Sequence, residues 1–167
     1  MLIRPAEPED ALAVARVHVR SWQQAYRGLL PQDYLDSLEP EQRAPHYDFA
    51  TDNPYRAHTL VAVQQESIVG FATTMPSRDQ DHPDFGELCA LYVEPEHWGR
   101  GVGLALSAET RNALRQQGFH DALLWVLQGN ERAQGFYRRD GWISEGTQRA
   151  ETLWGIMVNE LRYTRRL

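Results

Sequence analysis

A glycine-rich segment in the middle of the chain constrains the fold most strongly. Glycines stand at every second position, at Gly99, Gly101 and Gly103. They follow an apolar run that ends at Val93 and reach into the start of an amphipathic run that begins at Val102. Glycine permits a sharp turn and lets backbone amides approach a ligand closely. The N-terminus of a following helix adds N–H groups without intrahelical partners and the positive end of a dipole. The pattern predicts a strand, a loop and a helix that bind a phosphate or pyrophosphate.

The residues before this segment alternate between strand-like and helix-like patterns. Apolar residues three and four apart indicate a helix, whereas strict alternation indicates a strand. The predicted elements, in chain order, are a strand over 2–6, helices over 9–26 and 31–38, a loop or broken helix over 39–56, and hairpin strands over 59–63 and 68–74.

Strands and helices also alternate in the second half of the chain. The predicted elements are a strand over 87–93, a helix over 102–117, a strand over 122–127, a helix over 130–139, a strand from Trp142 and a last strand over 152–161. Gly118 ends the first of these helices, and Asn130 caps the second. Hairpins together with strand-helix crossovers predict a mixed α/β (α+β) sheet in one domain over 1–167.

Charge and composition argue against several functional classes. The chain has 17 basic and 23 acidic residues, a net charge of −6, so we expect no nucleic-acid partner. Every basic residue is arginine, which excludes the lysine of a Walker A loop and every catalytic-lysine mechanism.

Cysteine, histidine and hydropathy patterns narrow the classes further. The single cysteine, Cys89, excludes an internal disulfide and a zinc site built on cysteine pairs. The 6 histidines form no H-x-x-x-H pattern, so we predict no metal. No apolar run is long enough for a signal peptide or a membrane span, so we expect a cytoplasmic protein with no membrane partner.

The phosphate loop does not match the dinucleotide-binding fingerprint. That fingerprint, G-x-G-x-x-G, opens a strand-helix-strand unit, but here Leu104 stands at the third glycine position.

Residues 86–142 instead resemble the acetyl-CoA half of the GNAT acetyltransferases. The family's loop, Q/R-x-x-G-x-G/A, is similar to Trp98-Gly99-Arg100-Gly101-Val102-Gly103, with tryptophan at the first position. The run from Asn130 to Tyr137, followed by Gly141-Trp142, resembles the family's N-x-x-A-x-x-F-Y…G-F/W segment. The resemblance implies the GNAT fold, a mixed six- to seven-stranded sheet flanked by helices. It also implies an N-acetyltransferase that moves an acetyl group from acetyl-CoA, by direct attack, to a primary amine of a small molecule or peptide.

The resemblance also implies the roles of individual residues. The backbone of the strand that ends at Val93 pairs with the pantetheine arm, and the Val93 N–H donates to the oxyanion. Tyr137 protonates the departing thiolate. The residues that we expect to contact the cofactor are Leu91, Val93, Trp98, Gly99, Arg100, Gly101, Val102, Gly103, Asn130 and Tyr137.

The base and the acceptor pocket are less constrained. Glu87 resembles the base of histone-acetylating members in its distance from the loop, and burial beside apolar neighbours would raise its pKa. The histidines at 58, 82 and 97 are alternative bases by residue type. Trp22, Tyr26 and Tyr34 are candidates for the acceptor pocket, with core packing as the alternative. Acidic residues that would attract a cationic amine are Asp36, Glu39 and Asp81.

Two other functions stay open at this point. One is a GNAT-fold module that binds acyl-CoA for regulation without turnover, and the other is a nucleotide-binding regulator. A homodimer is one assembly that the sequence allows.

Overall fold

The computed structural model describes residues 1–50 and 56–167, which form a seven-stranded sheet with helices on both faces. The strands are β1 (Leu2–Pro5), β2 (His58–Gln64), β3 (Ser67–Pro76), β4 (Gly86–Val93), β5 (Asp121–Leu127), β6 (Ile143–Leu153) and β7 (Ile156–Arg166). The helices are α1 (Ala11–Ala25), α2 (Gln32–Asp36), α3 (Pro40–Arg43), α4 (Val102–Gln116) and α5 (Glu131–Arg139). The strand order is β1-β2-β3-β4-β5-β7-β6. Because β4 and β5 pair in parallel and the other neighbours antiparallel, the predicted mixed sheet is confirmed.

Most predicted elements are present, with ends shifted by a few residues. The predicted first helix is preceded by a 3-10 turn over Pro8–Asp10. The predicted loop or broken helix over 39–56 contains α3 and a second 3-10 turn, and its residues 51–55 lie outside the described part of the chain.

The predicted last strand over 152–161 is wrong. A hairpin turn divides this segment between β6 and β7, with Trp154 and Gly155 at φ 51° and 80°. A two-residue turn with both residues in the left-handed region suits a tight hairpin, but it is usually marked by asparagine or aspartate before glycine. A tryptophan there carries no turn signal.

The two long helices pack on opposite faces of the sheet. On β2, Leu60 and Ala62 belong to the cluster beneath α4, whereas Val61 packs with Val14 and Val17 of α1. This alternation follows from the two-residue period of a strand. Among the described residues, no helix combines the length and the apolar character needed to span a membrane.

The centre of the sheet is split between β4 and β5. These strands pair at two positions, Gly86 with Ala122 and Glu87 with Leu123. Just beyond, the register between β3 and β4 shifts, so that Cys89 is an extra residue in β4. Such a bulge bends its strand. The remainder of β4 therefore diverges from β5 and leaves a cleft between the two strands.

The packing of α4 against the sheet can be tested by a substitution at Leu106. Its side chain is fully buried in the main hydrophobic cluster. We expect Leu106→Ala to lower the free energy of unfolding by about 2–5 kcal/mol, because it removes buried methyl groups and leaves a cavity. Leu104→Ala is the matched control, since Leu104 lies on the same helix but is 53% exposed. Urea denaturation without ligand measures both, and equal losses would contradict this packing of α4.

Candidate active site

A cavity of about 720 Å³ occupies the cleft between β4 and β5. The two strands, the loop before α4, helix α5 and the end of α1 contribute to its walls. It brings together most of the residues that the sequence singled out. Those that line it are Trp22, Tyr26, Glu87, Leu91, Val93, Trp98, Gly99, Gly101, Gly103, Asn130 and Tyr137.

The glycine loop forms one end of this cavity. Gly99 and Gly101 have φ values of 72° and 82°, in the left-handed region that favours glycine. Gly101 is the N-cap of α4, and among the described residues no side chain caps this helix. Its first N–H groups are therefore available to an anion, and the helix dipole adds favourable charge. This arrangement fits a pyrophosphate.

Two residues that we expected to contact the cofactor, Arg100 and Val102, are not part of the cavity lining. Arg100 is exposed and lies outside the cavity lining. The Val102 side chain is fully buried in the core cluster, because it faces the sheet as α4 begins. Val102 can therefore meet a ligand through its backbone N–H.

The open edge of β4 presents backbone groups to the cleft. Glu94 N donates to Val69 O at 2.9 Å, and Val93 lies opposite Gly70. Residues of an antiparallel ladder alternate between pairs that exchange hydrogen bonds and pairs that do not. The N–H and C=O groups of Leu91 and Val93 therefore point away from β3, toward the cleft.

Trp98 and its neighbours hold the end of β4 in place. The Trp98 indole N–H donates to Val93 O at 2.7 Å, and the Ser21 hydroxyl donates to the same oxygen at 2.9 Å. The Arg132 guanidinium lies over the Trp98 ring, 3.5 Å from its centroid. Ser21 and Arg132 carry no local signal of these roles in the sequence, because their partners come from distant parts of the chain. Trp98 thus has a structural role where the family motif has glutamine or arginine.

Tyr137 lies in the cavity wall on α5. Asn130 accepts a hydrogen bond from Ala133 N at 3.2 Å, which confirms the predicted helix cap. Tyr137 is 9% exposed, and burial raises the pKa of its hydroxyl. The hydroxyl therefore keeps its proton at neutral pH, as a proton donor must.

Glu87 is buried in the cavity, as expected, but its carboxylate is ion-paired. Arg78 contacts both carboxylate oxygens, with NH2 to Oε1 at 2.7 Å and Nε to Oε2 at 3.2 Å. The expected apolar surroundings are thus replaced by a guanidinium group, so any proton transfer at Glu87 takes place inside an ion pair.

A second buried carboxylate, Glu160 of β7, also lines the cavity. Arg149 of β6 binds it at 2.8 Å, and burial raises the pKa of Glu160 while Arg149 acts in the opposite direction. The alternation of Val158, Glu160 and Arg162 was a visible signal of one strand face. The sequence could not show that this face borders a cavity, because the hairpin was misplaced.

Several candidate residues lie outside the lining. Tyr34 donates its hydroxyl to Trp154 O at 2.7 Å, so it fastens α2 to the β6–β7 turn and is no part of the predicted pocket wall. Asp36 and Glu39 are exposed elsewhere, and Asp81 pairs with Arg162 at 2.8 Å.

Of the three candidate histidines, one reaches the cavity. His97 lines it beside the glycine loop, and its buried Nδ1 has no hydrogen-bond partner among the described residues. His58 is exposed at the start of β2, and His82 stacks on Phe85. Over 1–50 and 56–167, no three His, Cys, Asp or Glu side chains group together as metal ligands would.

Comparisons with known proteins agree with this geometry. The profile of the Acetyltransferase (GNAT) family matches residues 19–142. The uncharacterized N-acetyltransferase YuaI of Bacillus subtilis is 32% identical over 133 residues, covering 77% of this chain and 72% of the relative. Phosphinothricin N-acetyltransferase of Streptomyces coelicolor is 32% identical over 97 residues, covering 58% of this chain and 57% of the relative.

A solved structure shares the fold. The PaiA N-acetyltransferase from Thermoplasma acidophilum, in complex with coenzyme A, matches with a TM-score of 0.75 at 20% identity. The match covers 99% of this chain and 98% of that one. At this identity the likeness establishes the fold alone.

Gly101 tests the glycine loop. We expect Gly101→Val to raise the Kd for acetyl-CoA at least about tenfold, because a β-branched residue disfavours the left-handed backbone and obstructs the amides. Gly118→Val is the matched control, since Gly118 also has a positive φ, of 92°, at the far end of α4. Isothermal titration calorimetry on the folded variants measures both. An unchanged Kd in Gly101→Val would remove the loop from the binding site.

Proposed function

Because the chain belongs to the GNAT acetyltransferase family and is an acetyl-CoA-dependent N-acetyltransferase, we propose that it acetylates a primary amine of a small molecule or peptide inside the β4–β5 cleft. The observation that carries this proposal is the cavity itself, which has uncapped helix amides at one end and Tyr137 in its wall. Its lining also includes Trp22 of α1 and Tyr26, the C-cap of that helix, which border the space for an acceptor.

Acetyl-CoA supplies the activated acetyl group, and the described residues fit its parts. The amides from Gly99 to Gly103 suit the pyrophosphate, whereas the cleft-facing backbone groups of Leu91 suit an amide of the pantetheine arm. An extended ligand that pairs with an open strand edge gains main-chain hydrogen bonds. Asn130 also lines the cavity.

Two donors act on the thioester. We assign the Val93 N–H to the carbonyl oxygen, where negative charge develops as the amine nitrogen attacks the carbon. We assign the Tyr137 hydroxyl to the sulfur, which takes a proton as its bond to carbon breaks. The products are the amide and the free thiol of coenzyme A.

Direct attack by the amine agrees with the state of the one cysteine in the cavity. Cys89 lines the cavity, and burial raises the pKa of its thiol to about 12. Since the thiolate is the nucleophilic form, Cys89 stays unreactive near neutral pH. A covalent acetyl-cysteine intermediate is therefore disfavoured.

The amine must lose a proton before or during attack. Glu87 is our proposed acceptor of that proton, and Glu160 is the second candidate because burial raises its pKa toward the working range. Both carboxylates line the cavity, and both are hydrogen-bonded to arginine.

Turnover is favoured over a purely regulatory binding module. Tyr137, Glu87 and Glu160 all border one continuous cavity, which a module that only senses acyl-CoA does not require. We further propose a cytoplasmic location, because a chain with a single cysteine forms no internal disulfide and suits a reducing compartment. The proposal allows a homodimer and needs no nucleic acid.

Tyr137→Phe tests the leaving-group role. The variant removes the hydroxyl and retains the ring, so we expect turnover to fall about 10²–10⁴-fold while the Kd for acetyl-CoA stays the same. Tyr163→Phe is the control, because Tyr163 is a buried tyrosine whose hydroxyl bonds Gln134 outside the cavity. Thiol release measures both variants. Turnover of Tyr137→Phe within about twofold of the wild type would leave Tyr137 as a packing residue.

Glu87→Gln and Glu160→Gln distinguish the two candidate bases. Each retains hydrogen-bonding capacity but cannot accept the amine proton. We expect Glu87→Gln to show the larger fall in kcat/KM, and the defect to shrink as pH rises because more acceptor arrives as free amine. The pH profile is repeated with amines of different basicity.

Each outcome of that comparison has one meaning. A defect confined to Glu160→Gln would move the role to Glu160. Full activity in both variants would mean that neither carboxylate takes the proton.

A further inference from the structure

Building on the proposed function, we propose that the acceptor carries an oxyanion close to its amine, as an amino acid does, and that Arg78 and Arg149 bind this group. Both arginines line the cavity, on the same side as Glu87 and Glu160.

In both ion pairs the carboxylate is buried and the guanidinium is more exposed. The side chain of Arg78 is 58% exposed and that of Glu87 is 2% exposed. The side chain of Arg149 is 24% exposed and that of Glu160 is 6% exposed. A ligand that enters the cavity therefore meets guanidinium groups, with the negative charges beneath them.

Both guanidinium groups have N–H donors that are not used on the paired glutamate. Arg78 uses Nε and NH2 on Glu87, and Arg149 uses Nε on Glu160. A guanidinium carries five N–H donors in a planar fork that matches a carboxylate or a related oxyanion. Their remaining N–H groups are the ones we assign to the acceptor.

Arg149 is held in one orientation. Its guanidinium lies over the Trp125 ring at 4.2 Å from the centroid, and the Trp125 N–H donates to Asp79 at 3.1 Å. Arg162 in turn binds Asp79 at 3.0 Å. A cation fixed in this way loses less side-chain entropy when a ligand binds.

The two cations act on one region of the cavity. Arg78 binds Glu87, which lies opposite Leu123 of β5, and Arg149 lies over Trp125, two residues further along the same strand. Glu151 also lies near Arg78, but it is outside the lining.

This charge arrangement separates classes of acceptor. A polyamine would bring a second ammonium group against the guanidinium groups, which costs binding energy. A peptide N-terminus has an amide where a free amino acid has its carboxylate. A small amine with an adjacent oxyanion fits best.

The experiment compares L-amino acids with their α-amides as acceptors. The amide has the same side chain and an amine that deprotonates more readily, so intrinsic reactivity favours the amide. We nevertheless expect kcat/KM to be at least about tenfold higher for the free acids, because a hydrogen bond to a charged group is lost in the amide. Aminoalkylphosphonates form a further arm, which tells whether a phosphonate oxyanion replaces the carboxylate.

Three variants identify the cation. We expect Arg149→Gln to raise KM for the free acids at least about tenfold more than it raises KM for the amides, so that the ratio of the two reports the oxyanion contact apart from any effect on Glu160. Arg149→Lys retains the charge and should retain part of the preference. Arg115→Gln is the control, because Arg115 bonds Asn112 on the exposed face of α4 and lies outside the cavity. If Arg149→Gln unfolds because Glu160 loses its partner, Arg78→Gln provides the same comparison.

The outcomes separate this inference from the proposed function. Amides or polyamines that are acetylated as well as free acids would overturn the oxyanion site and leave the acetyltransferase intact. An unchanged preference in folded Arg149→Gln and Arg78→Gln would also overturn it. If no amine gives thiol release while acetyl-CoA still binds, the proposed function is overturned and this inference with it.

Discussion

The parallel pairing of β4 with β5 ends after Glu87 and Leu123, and the cavity follows from that interruption. Beyond this point the bulge at Cys89 turns β4 away from its neighbour. Backbone groups that would complete a ladder then face a cleft in the middle of the sheet. Buried N–H and C=O groups need partners. The Val93 carbonyl finds them in Ser21 and Trp98, whereas the N–H groups on the same edge stay available for a ligand.

Both helices that follow the diverging strands begin beside the cleft. Gly101 precedes α4 and Asn130 caps α5, and both residues line the cavity. Helix N-termini attract negative charge, which suits the anionic end of acetyl-CoA. On the other side of the cavity, buried carboxylates neutralise the arginines above them. This arrangement adds cationic hydrogen-bond donors to the cavity without a large local net charge.

Local signals were sufficient for β1 to β5 and for the glycine loop, but not for the β6–β7 hairpin. The glycines at 99, 101 and 103 predict a turn and a helix start close to Trp98. Asn130 predicts the start of its helix because asparagine is a preferred N-cap residue. The two arginine–glutamate pairs of the cavity depend on contacts between segments that are distant in the sequence. Arg149 meets Glu160 because the register of β6 and β7 places them opposite each other, whereas Arg78 reaches Glu87 from the loop after β3. A two-residue period alone does not say which face borders a cavity. Tyr34 shows the converse, since it was a candidate for the acceptor pocket but its hydroxyl donates to Trp154 O in a hairpin turn.

A crystal structure of the protein with bound acetyl-CoA tests the central claim most directly, because the claim is that the β4–β5 cleft holds the pantetheine arm. We expect pyrophosphate oxygens about 2.7–3.2 Å from the amides between Gly99 and Gly103, a pantetheine amide at the same range from the backbone of Leu91, and the thioester carbonyl oxygen at that range from the Val93 N–H. The sulfur should lie beside the Tyr137 hydroxyl. A pantetheine arm outside the cleft, or a sulfur remote from Tyr137 while the loop still binds the pyrophosphate, would contradict the account.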